Sequence, residues 1–448
     1  MRHRFAAAAA ALLLAVPALP ALAQMDPAAA AAARKPLSPA ERDAALDAIA
    51  AALPKFYVFP DKVPAILAGF AQARQAGRYA TDDPALLAER VTEDLRRASG
   101  DRHLYLNYDP ARYAAALNSK SGAGPDQGED SAALERRAAL RDNHGLTEQR
   151  ILPGNVRYLR IAEFQWVRDE TGAAYDAAMR FLKEGDAAII DIRGNPGGSH
   201  GAVRYLVSHF MDDDVLELTF LARGEAPEQS HTLDHLPAGR LKGRPLYVLI
   251  DSNVGSAAEA FAYDVQQFKL GELVGAKTAG AANNNDFHPI APGFMLSVPF
   301  GRPEHAVSHT NWEAVGVTPS VPAEPAKALE TAWGLALARL AAAPGATPEA
   351  RAEYAWAQVA VEARLHPVAV APATLKALTG RYGDFTVRLQ GGALELVRPD
   401  GRARRLYPLD ANGLYGVENN DQLRVRFKPR AMETWWIDDP NPRVTAKG

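Results

Sequence analysis

The sequence predicts an α/β core with a small helical domain before it and a small antiparallel β module after it. Short apolar strands alternate with helical segments between residues 145 and 343, which is the pattern of a layered α/β domain. Before this region the apolar residues recur at helical spacing. After residue 366 short alternating segments are separated by Gly-Gly, Pro-Asp-Gly, Asn-Gly and Asn-Asn, which are typical hairpin turns.

The helical domain is predicted over residues 37–117. Its first helix begins at Ser38–Glu41, where a capping serine is followed by proline and then by an acid. Further helical patterns cover residues 60–77 and 84–98. The domain ends in a short strand that carries His103. Residues 118–144 are predicted as a flexible connection followed by a helix, because Asn118–Ser131 is rich in Gly, Ser, Pro and Asp.

The core is predicted over residues 145–343 and starts with a hairpin that turns at Pro153–Asn155. The remaining core elements alternate in type: a helix over 171–184, strand Ala187–Ile192, a helix over 200–212, strand Leu246–Ile250, a helix after Ser256 and a helix over 325–342. A helical linker is predicted over residues 344–371. The β module follows over residues 372–448.

The composition is that of globular proteins and argues against several functional classes. Of the 448 residues, 48% are hydrophobic. The absence of cysteine excludes disulfides, a thiolate nucleophile and Cys-ligated zinc. The 50 basic and 53 acidic residues give a net charge of −3, or −5 without the two arginines of residues 1–23. This charge argues against a non-specific nucleic-acid partner.

Residues 1–23 are predicted to be a secretory signal peptide. Arg2 and Arg4 precede an alanine and leucine run that ends in Ala21-Leu22-Ala23, a small-x-small cleavage signal. No later apolar run approaches the length of a membrane span, so none is predicted. We therefore expect export after cleavage near Ala23. The bacterial periplasm is favoured over secretion, because an exported chain without disulfides suits that compartment.

Ser256 stands where a buried strand is predicted to end and a helix to begin. Gly255 permits a sharp turn there, and developing negative charge is favoured at a helix N-terminus. A hydroxyl in this place can act as a nucleophile. The other interpretation is structural: Ser256 is the helix N-cap and Glu259 its capping-box partner.

A glycine-rich loop, Asp191–Ser199, follows another predicted strand. Its three glycines and one proline can turn backbone N–H groups toward one point, as an oxyanion site requires. The spacing fits neither a phosphate loop nor a dinucleotide fingerprint. A tight turn that needs positive φ explains the same residues.

Eleven histidines are candidate bases. His103 lies where a turn gives way to an alternating strand, which is also a usual place for a structural histidine. Glu313 lies in a turn bounded by an aromatic residue and a glycine, and by itself it resembles a surface acid. His231 and His235 are four residues apart but run into Pro237 with no neighbouring Glu-bearing helix, so no metal site is predicted.

Four motifs in one order closely resemble the C-terminal-processing, or tail-specific, serine peptidase family. They are Asp-Ile-Arg-Gly-Asn-Pro-Gly-Gly, Val-Gly-Ser-Ala-Ala-Glu-Ala-Phe-Ala-Tyr, Val-Gly-Ala-Lys-Thr-Ala-Gly and Asn-Trp-Glu-Ala-Val-Gly-Val-Thr-Pro. The similarity is strongest to the branch that contains interphotoreceptor retinoid-binding protein and the tricorn protease core. It covers roughly residues 95–340, and four ordered motifs are far more specific than one.

The resemblance implies a crotonase-like (ClpP/crotonase) ββα core. It also implies that Ser256 is the nucleophile. The backbone N–H groups of Ala257 and of Gly197 or Gly198 would then form the oxyanion hole.

The identity of the base depends on the branch of the family. The lysine-using branch places its base twenty-five residues after the serine, where this chain has Ala281, while Lys277 comes four residues too early. The tricorn-like branch implies His103 as base and Glu313 as orienting acid. A Ser256–Lys277 dyad is the alternative mechanism.

The resemblance implies an endopeptidase or carboxyl-terminal-processing peptidase that uses no cofactor, and the predicted signal peptide makes it an exported one. Glu259 and Lys277 are supporting candidates. No segment looks long enough for the PDZ domain that many relatives carry, so a peptide or protein substrate would bind in the core's own groove. Its predicted contacts are Arg193, Asn195, His200 and Trp312. The alternatives are an inactive binder of an apolar ligand or peptide, as in the retinoid-binding relatives, and another reaction on the same scaffold.

Overall fold

The computed structural model describes residues 35–120 and 126–448. The predicted signal peptide lies outside these residues, as does part of the predicted connection. Among the helices of the described ranges, none is long and apolar enough to cross a membrane.

Three helices form the N-terminal region: α1 (Pro39–Phe56), α2 (Val63–Gln75) and α3 (Pro84–Ser99). The predicted start of α1 is confirmed, because the Glu41 N–H donates to Ser38 Oγ at 3.2 Å and the Ser38 N–H donates to the Glu41 carboxylate at 2.9 Å. Gly100 ends α3 in the left-handed conformation that favours glycine. The apolar faces of these helices share one core with Phe294, Leu296 and Val298 of a later strand.

A mixed six-stranded sheet carries the centre of the molecule. Its strands are β2 (Leu146–Leu152), β3 (Val156–Ile161), β4 (Ala187–Asp191), β7 (Leu246–Ile250), β8 (Glu272–Gly275) and β11 (Val321–Pro322), in the order β11-β8-β7-β4-β3-β2. Only β2 and β3 are antiparallel, and they form the predicted hairpin, with Leu152 opposite Val156. The remaining pairs are parallel.

Helices cover both faces of this sheet, and its central strands β4 and β7 are accordingly apolar except for Asp191 at the end of β4. Successive side chains of a strand point to opposite faces. Ala188 and Ile190 of β4 accordingly pack with α6 (Arg168–Lys183), α7 (His200–Ser208) and α8 (Ala257–Gln267). Ala187 and Ile189 pack on the other side with α9 (Ala328–Ala342) and α10 (Pro348–Leu365). The predicted α/β core is confirmed.

A second, five-stranded sheet joins the N-terminal region to the core. Its strands are β1 (Tyr105–Tyr108), β5 (Leu216–Ala222), β6 (Glu228–His231), β9 (Asn284–Ile290) and β10 (Phe294–His305). The long strand β10 pairs with β1, β9 and β5, which places the segment after His103 against residues 294–297. The sequence did not predict this sheet, because prolines such as Pro289, Pro299 and Pro303 interrupt its strand pattern.

Helices replace most of the predicted flexible connection. Helix α4 (Pro110–Lys120) reaches into it, and α5 (Asp126–Arg141) begins inside it. The helix predicted within residues 118–144 is therefore present as α5, but it begins at Asp126, before the end of the segment rich in Gly, Ser, Pro and Asp. Composition misled here, because a segment rich in Gly, Ser and Asp can still form a helix.

The C-terminal β module is confirmed as antiparallel. After α11 (Pro372–Leu378) its strands follow one another in sheet order: β12 (Gly380–Tyr382), β13 (Phe385–Gln390), β14 (Ala393–Val397), β15 (Ala403–Pro408), β16 (Leu414–Val417), β17 (Asn420–Lys428), β18 (Ala431–Trp436) and β19 (Asp439–Ala446). The Gly448 N–H donates to the Arg381 carbonyl at 2.9 Å and links the two ends of the sheet. Tyr382, Phe427 and Met432 lie in its apolar core.

Candidate active site

Ser256 occupies a strained turn between β7 and α8. Its φ of 50° and ψ of −124° are rare for a residue with a side chain, and such strain must be held by the surroundings. The Gly255 N–H donates to the Asn195 carbonyl at 3.0 Å, and the Ser256 N–H donates to the Glu259 carboxylate at 3.1 Å. The strand-to-helix position predicted for Ser256 is confirmed, and the Glu259 half of the predicted capping box is present.

The glycine loop after β4 packs directly against this turn. Asn195 is fully buried; its side chain donates to the Ile161 carbonyl at 3.1 Å and accepts the Gly197 N–H at 2.9 Å. A Cβ on Gly197 would lie 2.8 Å from the Ser256 Cβ, and one on Gly198 would lie 2.2 Å from the Phe164 carbonyl oxygen. Only glycine permits this approach, because both residues also have φ near 120°.

Two backbone N–H groups near Ser256 are available to a ligand. The Gly198 N–H has no hydrogen bond within the described parts of the chain, and the Ala257 N–H belongs to the first turn of α8. The Gly197 N–H differs, since Asn195 already accepts it. Of the two glycines that the sequence offered for an oxyanion hole, the geometry favours Gly198.

The Glu259 carboxylate holds the serine turn in place. The side chain is fully buried, and besides the Ser256 N–H it accepts the Thr278 hydroxyl at 2.5 Å and the N–H groups of Gly280 and Ala281 at 2.6 and 2.8 Å. Burial raises the pKa of Glu259, and these hydrogen bonds oppose the increase. Glu259 therefore holds two separate segments together.

Glu313 likewise accepts backbone N–H groups, from the second half of the loop formed by residues 280–283. Its carboxylate accepts the N–H groups of Ala282 and Asn283 at 2.6 and 3.0 Å. It also accepts the Arg102 N–H at 3.0 Å. The four consecutive N–H groups of residues 280–283 are thus divided between Glu259 and Glu313. This loop connects the serine turn to the segment that carries His103.

His103 lies beside two carboxylates. One ring nitrogen of His103 and one oxygen each of Asp101 and Glu313 all lie within 4.8 Å of one another. The Nδ1 atom is buried and has no hydrogen-bond partner among the described residues. Burial lowers the pKa of His103, and Asp101 opposes this decrease. The sequence-predicted pair of His103 and Glu313 is therefore brought together, and Asp101 is an acid that the sequence reasoning missed.

Asp101, His103 and Glu313 form a group whose spacing could hold a metal ion. Each carboxylate is already used by the protein: Asp101 accepts three hydrogen bonds, and Glu313 also accepts three. Carboxylates held in this way can also serve a histidine that becomes positively charged. The prediction of a metal-free site stays a prediction.

Lys277 is in a poor environment for a base. Its side chain is exposed and has no hydrogen bond or ion pair within residues 35–120 and 126–448. A lysine needs burial or a neighbouring cation to lose its proton near neutral pH. At position 281, where lysine-using relatives carry the base, the alanine contributes only its backbone, whose carbonyl accepts the Trp312 indole N–H at 3.1 Å.

A cavity of about 80 Å³ lies next to Ser256. It is lined by Gly198, His200, Leu218, Phe220, Ser256, Ala257, Ala260, Ala282, Asn284, Pro303 and Trp312. Of the predicted substrate contacts, His200 and Trp312 belong to this wall. His200 is fixed by Ser230 Oγ at 2.9 Å, and burial lowers its pKa to about 4, so the ring is neutral at pH 7. A larger cavity, between the β2–β3 hairpin, α10 and the β module, contains none of the predicted site residues.

The other two predicted contacts lie elsewhere. Arg193 makes a bidentate ion pair with the buried Asp191 and donates to the Pro325 carbonyl. Asn195 has no exposed surface and shapes the glycine loop. The structure therefore gives both residues internal partners rather than a place in the cavity wall. Leu218 and Phe220 were missed, because their strand was not predicted.

Comparison with known proteins gives a consistent result. Residues 155–323 match the model of peptidase family S41, and residues 39–138 match the N-terminal domain of Peptidase_S41 in eukaryotic IRBP. The carboxy-terminal processing protease CtpB of Bacillus subtilis is 27% identical over 155 residues, which are 34% of this chain and 31% of that protein. A carboxyl-terminal-processing protease of Synechocystis is 27% identical over 173 residues, which are 37% of this chain and 38% of that protein.

This chain spans only about a third of the length of these curated relatives. Among solved structures, the photosystem II D1 C-terminal processing protease aligns with a TM-score of 0.40 and 16% identity, over 64% of this chain and 94% of that chain. A TM-score of this size supports no conclusion about function. The two family models and the curated relatives together show that residues 39–138 and 155–323 belong to peptidase family S41, a family of serine peptidases, with residues 39–138 as the IRBP-type N-terminal domain.

Proposed function

We propose that this protein is a serine peptidase in which Ser256 attacks the carbonyl of a peptide bond. The observation that carries the proposal is the arrangement around the 280–283 loop. This loop ties the strained serine turn, through Glu259, to the His103 segment, through Glu313. A nucleophile, a base and an orienting acid are the parts that acyl transfer requires.

In this mechanism His103 takes the proton of the Ser256 hydroxyl during attack. It then donates that proton to the leaving amine, and a water molecule repeats the cycle on the acyl-enzyme. Glu313 stabilises the imidazolium that forms in between. Burial lowers the pKa of His103, which favours the neutral ring that a general base requires.

The Gly198 and Ala257 N–H groups are proposed as the oxyanion hole, because both residues line the cavity beside Ser256 and neither N–H has a hydrogen bond within the described residues. The cavity beside Ser256 is the proposed place for the substrate side chain next to the cleaved bond. A crotonase-like arrangement of the core and export to the periplasm after signal cleavage belong to the same proposal. The names of the curated relatives favour cleavage near a carboxyl terminus.

A binding protein for an apolar ligand is the second candidate. The apolar wall formed by Leu218, Phe220 and Trp312 favours it. A cavity of about 80 Å³ holds only a small group, and a pure binder has no use for a strained serine beside two open N–H groups.

Peptide hydrolysis in the presence of EDTA tests the proposal. We expect purified protein to cleave an unstructured peptide, and we expect the rate to persist with EDTA because no step needs a metal ion. A serine-directed phosphonate should abolish cleavage. Loss of cleavage in EDTA, restored by a divalent metal, would instead favour metal-dependent hydrolysis at Asp101, His103 and Glu313. Binding of an apolar ligand without any cleavage would favour the second candidate.

A further inference from the structure

Asp101 is a buried carboxylate that the proposed mechanism has not yet used. It is 2% exposed, and it lies two residues before His103 at the end of α3. Its Oδ1 atom accepts the His103 backbone N–H at 3.0 Å. Its Oδ2 atom accepts the Tyr57 hydroxyl at 3.2 Å and the Asn283 side-chain amide at 2.8 Å. Three segments of the chain therefore meet at this one acid: the end of α1, the turn after α3 and the 280–283 loop.

Asn283 connects Asp101 to the acid that the sequence predicted. Its backbone N–H donates to Glu313, while its side chain donates to Asp101. The two carboxylates are thus held at defined positions next to the imidazole of His103, within the 4.8 Å group described above. Burial and the nearby Glu313 raise the pKa of Asp101. Two carboxylates therefore lie close together in a region that is largely shielded from water.

This crowding is relieved when a positive charge forms between the acids. Neutral His103 leaves the two carboxylates to repel each other, whereas imidazolium attracts both. Arg96 of α3 also acts on the ring and disfavours imidazolium. Tyr57 at the end of α1 donates its hydroxyl to Asp101, and it keeps its proton because burial and Asp101 raise its pKa. The charge balance at His103 therefore depends on more than Glu313.

We propose that Asp101 is a second positioning acid of the site, which anchors the His103 backbone and stabilises the imidazolium together with Glu313. The inference rests on the proposed function, because it concerns the same proton transfer. The proton moves from the Ser256 hydroxyl to His103 and onward to the leaving amine. Asp101 stays ionised throughout and exchanges no proton.

The experiment measures the pKa of the His103 ring by NMR in the Ser256→Ala background, where no turnover is needed. Asp101→Asn is expected to lower this pKa by about one pH unit, since it removes a negative charge within 4–6 Å. Tyr57→Phe is the matched control: it removes one hydrogen bond to Asp101 but no charge, and it should leave the titration unchanged. If Asp101→Asn fails to fold, Asp101→Ser is measured in the same way.

Kinetics in the Ser256-containing protein give the second readout. Asp101→Asn should lower kcat/KM about tenfold for each pH unit by which imidazolium is destabilised. The acid limb of the kcat/KM profile should move to lower pH, because that limb reports the pKa of the free base. An unchanged titration in the folded variant would reduce Asp101 to a structural role. A shifted titration in a protein that cleaves no peptide would overturn the proposed function and leave the electrostatic role of Asp101 standing.

Discussion

Replacing His103 with alanine is expected to lower kcat/KM for peptide cleavage by roughly 10⁴- to 10⁶-fold. The reason is that Ser256 then has no group to accept its proton during attack. Ser256→Ala should cost about as much, and the double variant should cost no more than either single variant, because the two residues act as one unit. Steady-state or single-turnover assays with one peptide measure all three variants.

The matched control is His366→Ala, since the His366 side chain at the end of α10 is 79% exposed. Its activity should equal that of the unmodified protein. Circular dichroism must show that the His103 variant keeps its fold. Activity retained within about tenfold in a folded His103→Ala protein would exclude this residue as the base.

Glu259→Ala is expected to destabilise the fold by about 3–5 kcal/mol. The substitution removes the acceptor of the buried Thr278 hydroxyl and Gly280 N–H and of the half-buried N–H groups of Ser256 and Ala281. Activity should fall as well, because the strained serine turn and the 280–283 loop lose their shared anchor. Equilibrium unfolding in urea, followed by tryptophan fluorescence, measures the change in the free energy of unfolding.

Two further variants serve as comparisons for the stability of Glu259→Ala. Glu349→Ala removes an exposed acid from the first turn of α10 and should leave the stability close to that of the unmodified protein. Glu259→Gln keeps one acceptor oxygen and should fall between wild type and Glu259→Ala. A Glu259→Ala protein as stable as Glu349→Ala would mean that water or a rearranged loop satisfies these donors.

Local sequence signals were enough for the parts of the site that lie within one element. Ser256 was placed at a strand-to-helix turn, because Leu246–Ile250 is uniformly apolar and Gly255 breaks the pattern. The same holds for the glycine loop after Asp191. For these residues the turn chemistry is contained in a few neighbouring positions. The pairing of His103 with Glu313 came instead from family resemblance, since 210 residues separate them.

Long-range contacts explain what the sequence reasoning missed. Asp101 resembles an ordinary turn acid until Tyr57 and Asn283 are seen to donate to it. The cavity wall at Leu218 and Phe220 belongs to a sheet whose strands come from distant parts of the chain. Arg193 reads as a free cation in a loop, and only the fold shows that it neutralises the buried Asp191. Burial and partner choice of this kind are tertiary properties.

Active-site labelling tests the central claim most directly. Purified protein is treated with a fluorophosphonate, and the adduct is mapped by mass spectrometry in wild type, Ser256→Ala, His103→Ala and Lys277→Ala. The proposed mechanism predicts one adduct on Ser256, its absence in Ser256→Ala, a large loss in His103→Ala and full labelling in Lys277→Ala. An unlabelled wild type, or labelling that survives in His103→Ala and disappears in Lys277→Ala, would contradict it.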